Sequence, residues 1–201
     1  GYAGAYDGNA HGATGSATGV NSEDLASLLD LGASFTNYPG GTANWSFAGN
    51  SNYLSASGSV SIVINKATPA FSNLSSPVIT LGATPTTLGG KLTLGSLIPT
   101  GSVSITLHGV TQSVAIGAGG AFSSSFATGA LPAVNPPYDI AYSYAGDNNF
   151  NPASGTGTLT VGYAILPLFD QTKAAQAGST IPIKLQLTNL AGGNVSSSAL
   201  V

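Results

Sequence analysis

The sequence predicts an all-β protein, two sandwich-sized modules in tandem closed by a C-terminal strand or hairpin extension. Apolar residues recur with period two, as in "GSVSIVIN" at 58–65, "SVSITL" at 102–107 and "YDIAYSY" at 138–144, the pattern of half-buried strands rather than helices. Gly, Asn and Pro punctuate these runs at sandwich spacing. The chain also repeats itself: "FAGNSNYLSASGS" at 47–59 is echoed by "YAGDNNFNPASGT" at 144–156. Aligning 45–64 with 142–161 gives seven identities in twenty positions at a constant offset of 97. A fixed offset of that size marks a duplicated module, not a catalytic motif.

The first module is expected over 1–67. "NSEDLASLL" at 21–29 is its one helix candidate, a short turn with Asn21 or Ser22 as cap and Glu23 and Asp24 at its positive end. Strands are expected near 28–36, 42–48 and 58–65, with Val60, Ile62 and Ile64 on the core face. Trp45 aligns with Tyr142 of the repeat, which puts it on the core face; the alternative is an exposed aromatic. Between the last two strands lies the repeated corner, Ala48, Gly49, Asn50, Asn52 and Tyr53. Gly supplies the backbone angles of a tight turn, Asn bonds backbone N–H groups two residues on, and the aromatic plugs the end of the core.

"NKATPAF" at 65–71 ends that module, because Pro69 breaks a ladder and the alternation stops. The second module, 68–162, is expected to hold seven strands, near 77–82, 91–95, 102–108, 110–116, 120–127, 138–145 and 156–162. "HG" at 108–109 reads as a tight hairpin turn. Seven short strands in this span fit an immunoglobulin-like sandwich of two sheets. Its corner is Ala145, Gly146, Asp147, Asn149 and Phe150. The remaining segment, 163–201, is too short for a sandwich. In it Ile181, Ile183, Leu185 and Leu187 alternate with Thr180, Pro182, Lys184, Gln186 and Thr188, and "LAGGN" at 190–194 turns the chain back. A lone hairpin is not stable in water, and leaving four such side chains exposed forgoes roughly 1.5–3 kcal/mol each. The expectation is therefore that a third module, or strand addition to a neighbouring copy, covers them. Head-to-tail addition does not close on itself and yields a filament.

These motifs carry a family resemblance. "YDGNAHGATGSATGV" at 6–20 with "AGNSNYLSASGSVSIVINKATP" at 48–69 resembles the MBG-like bacterial repeat domains. "GSVSITLHGV" with "YDIAYSYAGDNNFNPASGTGTLTV" resembles the bacterial Ig-like repeat domain, and "AGSTIPIKLQL" at 177–187 looks like the start of a further repeat. The resemblance implies a large extracellular or cell-surface protein, a fibre or adhesin in which such modules form stalks. It implies no catalytic residues. It also implies a strand before "YDGNAHG", where only five residues stand.

Composition narrows the function further. Of 201 residues only four are Lys, none is Arg, and seven are Asp or Glu, for a net charge of −3. An average domain is roughly a quarter charged. Four scattered Lys make no nucleic-acid footprint and no basic cluster for anionic lipid, and no apolar run reaches the length of a membrane span. With no Cys there is no disulfide, thiolate metal site or thiol nucleophile. With no Met in the sequence, the chain is expected to be a mature or excised piece. Low charge with abundant Ser, Thr, Gly and Asn points to a secreted or surface-exposed bacterial protein.

No constellation demands an enzyme. His11 and His108 lie in different modules without a nucleophile elbow. Two distant His do not make a zinc site. The oxygens of Asp147, Asn148 and Asn149, or of Glu23 and Asp24, match no known calcium loop. Glu23 and Asp24 are adjacent and share no helix face. Lys66 and Lys91 show no acid partner for an intramolecular isopeptide bond. Three Asn-x-Ser sequons, at Asn44, Asn73 and Asn194, are what 14 Asn and 46 Ser plus Thr produce by chance. The expected function is structural, with no cofactor or metal and with the chain itself as partner. The alternative is a module that binds glycan or a surface, for which Trp45, Tyr38 and Tyr53 are the nearby aromatics.

Overall fold

A computed structural model describes residues 1–134, 136–168, 178, 180 and 183–196. The protein is almost entirely β, with helix limited to two short 3-10 turns among the described residues. It divides into two compact units: Gly1–Ala70, Leu92–Gly101 and Tyr144–Ala153 form the first, and Phe71–Lys91, Ser102–Ser143 and Ser154–Val201 the second. The chain first passes from one unit to the other between Ala70 and Phe71. The segments "LTLGSLIPTG" and "YAGDNNFNPA" group with the first seventy residues, although they follow that point in sequence.

The first unit holds a four-stranded sheet of β1 (Tyr2–Ala5), β2 (Leu29–Asp30), β3 (Gly40–Phe47) and β4 (Ala56–Asn65), in the order β1-β4-β3-β2. β3 and β4 run antiparallel with Ala43 opposite Val60. β1 pairs in parallel with the end of β4, Tyr2 opposite Ile62 and Ala5 opposite Asn65. β1 lies within the five residues ahead of "YDGNAHG". The alternation of β4 buries Ile62 and Ile64 beside Ala43, and Tyr2, Tyr6, Ala13, Phe35 and Val60 pack on them. Burying each large side chain contributes about 1.5–3 kcal/mol.

Two expectations fail here for local reasons. The strand over 28–36 shrinks to Leu29–Asp30, because Asp30 Oδ1 accepts the Gly32 N–H at 2.8 Å. Gly32 then turns with φ 77° against the Asn44 backbone, where a Cβ would clash. The helix over 21–29 is a single 3-10 turn, Ala26–Leu28. Ser22 has φ 65° and so cannot start a helix, while Asp24 Oδ1 accepts the Ala26 N–H.

The second unit holds two larger sheets and a separate two-stranded pair. One sheet has β5 (Ala70–Ser72), β7 (Thr86–Thr93) and β10 (Ala121–Phe126) in the order β10-β7-β5. The other has β6 (Val78–Thr80), β8 (Ser102–Leu107), β9 (Val110–Ala115), β11 (Tyr138–Tyr144) and β12 (Ala153–Gly162) in the order β6-β12-β11-β8-β9. The alternation that predicts β8 and β11 is the alternation that buries Val103, Ile105, Leu107, Ile140 and Tyr142. Between the sheets Phe122 meets Phe71 and Tyr142 edge-on, with ring centroids 5.7 and 5.9 Å apart. The buried Thr86 and Thr128 hydroxyls satisfy each other at 2.7 Å, and Thr128 Oγ1 donates on to the Ala83 carbonyl. His108 (φ 45°) and Gly109 (φ 78°) form the tight turn between β8 and β9, the left-handed pair such hairpins need. β6 pairs in parallel with β12, Val78 opposite Thr160.

β7 begins at Thr86, not near 91, and runs through Gly89 and Gly90. These glycines precede the strand expected near 91–95 but pack inside the sheet: a Cβ on Gly89 would lie 2.3 Å from the Phe122 carbonyl oxygen, and one on Gly90 2.7 Å from Leu74. After β12, β13 (Ala164–Pro167) and β14 (Leu185–Thr188) form an antiparallel pair.

Candidate functional site

The first corner follows β3. Gly49 takes φ 73°. The Asn50 N–H donates to the Tyr53 carbonyl at 2.8 Å. Asn50 Oδ1 accepts the N–H of Asn52 at 2.8 Å and of Tyr53 at 3.0 Å. Ala48 is tied by its N–H to the Leu28 carbonyl at 2.8 Å. Tyr53 does not plug the core, as its position in the motif suggests. It is half-buried, its hydroxyl donates to Glu23 Oε1 and accepts the Val20 N–H. That hydroxyl holds the Glu23 carboxyl below its ordinary pKa, and Glu23 in return raises the phenol. Glu23 and Asp24 serve separate turns and form no carboxylate pair, since Glu23 Oε2 accepts from Asn21 N–H.

The second corner follows β11 and has the same geometry. Gly146 takes φ 89°, and the Asp147 N–H donates to the Phe150 carbonyl at 3.1 Å. Asp147 Oδ1 accepts the N–H of Asn149 and of Phe150, both at 2.8 Å. Here the carboxylate does more: Oδ2 accepts the Thr100 N–H at 2.9 Å and the Thr100 hydroxyl at 2.8 Å. Burial alone would raise this carboxyl, but the four hydrogen bonds from Thr100, Asn149 and Phe150 outweigh it and hold it at about 2. The adjacent Tyr144 phenol is pushed up by burial first and by Asp147 second. Phe150 is buried, meeting the Tyr6 ring edge-on at 5.4 Å.

The rest of this corner is tied to the first seventy residues. Phe150 bridges Ala67 in parallel, with Ala67 N–H to Asn149 carbonyl at 2.9 Å and Asn151 N–H to Ala67 carbonyl at 2.8 Å. Asn149 Oδ1 accepts the Tyr38 N–H at 3.1 Å, and its amide donates to Asn37 Oδ1 at 2.9 Å. Lys66 Nζ donates to the Asp147 carbonyl and lies 5.4 Å from the centre of the Tyr38 ring. Thr100, Asn37 and Lys66 therefore belong to this site. No local motif in the sequence links the "IPTG" or "TNYPG" turns to it; only the repeat singles out Asp147 and Asn149.

The histidines stand apart from these corners. His11 Nε2 meets Asp7 Oδ1 at 2.9 Å, and its ring stacks on Tyr2 at 3.7 Å. His108 lies edge-on to Tyr138. Among the described residues no group of three or more His, Asp or Glu is placed to hold a metal, and no helix is long and apolar enough to cross a membrane.

Of the candidate assembly strand, Ile181 lies outside the described residues. Ile183 and Leu185 are exposed and Leu187 is half-buried. β14 is not unpaired: Ile165 faces Leu187 and Pro167 faces Leu185 on one edge. On the other edge Thr188 bridges Asn194, and the Val195 N–H donates to the Leu187 carbonyl at 2.9 Å. Asn189 forms the turn, its Oδ1 accepting the Gly193 N–H. The Leu190 N–H is bonded to the Leu81 carbonyl at 2.8 Å. Trp45 is half-buried on the Ala43 face of β3, its ring lying against Gly58 of β4.

No family model matches the chain, and no curated protein matches it. Among solved structures it is similar to one described as "Ca2+-stabilized adhesin helps an Antarctic bacterium reach out and bind ice", with a TM-score of 0.38 and 17% identity. That likeness covers 63% of this chain and 34% of the other, so the chain spans about a third of that protein's length. It is too distant to carry function. By its own strands and cores the chain is an all-β protein whose two repeated corners share one hydrogen-bonded turn.

Proposed function

We propose that the protein is a non-catalytic structural element of an extracellular fibre or adhesin stalk, made of an MBG-like module (1–67), a bacterial Ig-like module (68–162) and an extension (163–201). The repeated corner carries this reading. In both copies the carboxylate or amide that a ligand or reaction would need is consumed by backbone N–H groups of its own turn. Asp147 adds Thr100 as a further donor, so the residues that recur hold the chain in place.

Self-association through the C-terminal extension belongs to the same reading. On β13 and β14, Ile165 and Leu185 are 63% and 57% exposed, on a chain whose net charge is only −3. Low charge and exposed apolar surface favour association. Since β14 has strand neighbours on both edges, the contact uses the side chains of the hairpin rather than a free edge. Analytical ultracentrifugation of the wild type and an Ile165→Ser/Leu185→Ser variant tests this. Concentration-dependent oligomers lost in the variant support the reading. A wild type that stays monomeric at all concentrations sinks the self-association. Hydrolysis of any ester or glycoside panel that is lost in His11→Ala would replace the structural role with an enzyme.

A further inference from the structure

We propose that the pocket beside Trp45, in the first unit, is a binding site for a single uncharged pyranose ring. The pocket is about 220 Å³ and is lined chiefly by Thr14, Ser16, Leu29, Leu31, Trp45 and Val60. Pockets for drug-sized ligands run from about 300 Å³ upward, so this one takes one ring and not a longer chain. A pyranose has an apolar C–H face and a rim of hydroxyls, and the lining divides the same way. Leu29, Leu31, Val60 and the indole provide apolar surface. The Thr14 and Ser16 side chains provide polar groups.

Those polar groups are available. Among the described residues no side-chain nitrogen or oxygen is both buried and unpartnered. The indole N–H has no protein acceptor among the described residues and is not buried, its nitrogen lying beside Gly58. Thr14 and Ser16 are exposed, and their hydroxyls make no protein hydrogen bond among the described residues. No charged side chain lines the pocket, which disfavours anionic and cationic sugars, since a charge placed there would lose hydration without gaining a partner.

The site is also held in shape. The loop carrying Thr14 and Ser16 is pinned at one end by paired hydrogen bonds between His11 and Phe35 at 2.9 and 2.8 Å. At the other end the Leu25 N–H donates to the Ala17 carbonyl at 3.0 Å, next to the Thr18–Asp24 bridge. Trp45 stands opposite Gly58, and a Cβ on Gly58 would come within 2.7 Å of the indole. Glycine at that position lets the ring lie against β4, so the aromatic wall is set before any ligand arrives. Preorganisation of this kind lowers the cost of binding.

Trp45 is the only tryptophan, so intrinsic fluorescence reads this pocket without a label. The full chain is titrated with the methyl glycosides of glucose, galactose, mannose and N-acetylglucosamine, with glucuronate and glucosamine as charged controls and cyclohexanol as an apolar ring. The expected result is a saturable emission change with at least one neutral glycoside, at a Kd on the order of 1 mM, and none with the charged sugars. A Thr14→Val/Ser16→Val variant, which keeps the reporter, should weaken that response about tenfold or more, while its circular dichroism stays unchanged. If the variant misfolds, competition between two neutral glycosides for saturation-transfer NMR signal replaces it, and mutual displacement is then required. No saturable response to any neutral glycoside overturns the proposal. So does a response to cyclohexanol alone, or a sugar response that the variant retains in full. None of these outcomes depends on whether copies of the chain associate.

Discussion

The Asp147 carboxylate accepts four hydrogen bonds, and the Asn50 amide in the equivalent turn accepts two. Truncation should separate them. Asp147→Ala strands the N–H groups of Thr100, Asn149 and Phe150 at a half-buried site and should cost about 1–3 kcal/mol. Asn50→Ala should cost less, on the order of 1 kcal/mol. Urea denaturation of the two variants checks the order. The same bonds predict a pH dependence. The Asp147 carboxyl is held at about 2, below its ordinary 3.8, and Asp7, bonded first to His11 and then to Asn9, is held at about 2 as well. A depressed folded value means stability that is complete above the ordinary value and lost as pH falls through the folded one. The urea midpoint should therefore fall between about pH 4 and pH 2. The Asp147→Asn variant should flatten that fall, and an unchanged slope would assign it to other carboxylates.

At the scale of elements, the two adjacent glycines of β7 make a graded test. Gly89→Ala drives a Cβ against the Phe122 backbone, whereas Gly90→Ala meets first the end of the Leu74 side chain, which can rotate away. The first should lower the melting temperature more, by an amount corresponding to about 1–3 kcal/mol. The same pair shows where the sequence is legible. Strands with strict alternation, such as β4, β8 and β11, are readable because burial on one face imposes period two. β7 is misplaced because "LGG" has the composition of a turn, and nothing local reveals that Phe122 and Leu74 press on it. β5 and β1 are only three and four residues long, too short to show a period. At the corners, the repeat identifies Gly49, Asn50, Gly146 and Asp147. Thr100, Asn37 and Lys66 reach Asp147 and Asn149 through folding alone. Tyr53 and Phe150 align in sequence yet diverge in role, because a hydroxyl gives Tyr53 a partner in Glu23 that Phe150 cannot have.

For the whole molecule, sparse charge sets the behaviour in solution. With a net charge of −3 at pH 7 and an isoelectric point near 4.9, copies repel one another weakly, and least near pH 5. Association, measured as the rise of sedimentation coefficient with concentration, should be stronger at pH 5 than at pH 8. Added salt should change it little at pH 5 and increase it at pH 8 by screening the residual repulsion. The opposite salt response would point to specific ion pairs in the contact.

β1 lies in parallel against β4 in the first unit, and β6 lies in parallel against β12 in the second. In each case the early strand is approached from its N-terminal side and the late strand is left from its C-terminal side. Tension along the chain therefore drags the two strands past each other. Their bonds, such as Leu81 N–H to Gly162 carbonyl and Thr160 N–H to Pro77 carbonyl, are loaded together in shear and do not unzip one at a time. Each unit should give a distinct rupture peak under single-molecule pulling. Ile79→Pro, which bars residue 79 from donating a ladder hydrogen bond, should lower the peak of the second unit and leave that of the first unchanged. In a chain loaded end to end, the strands that take the load in each unit are the ones bonded side by side.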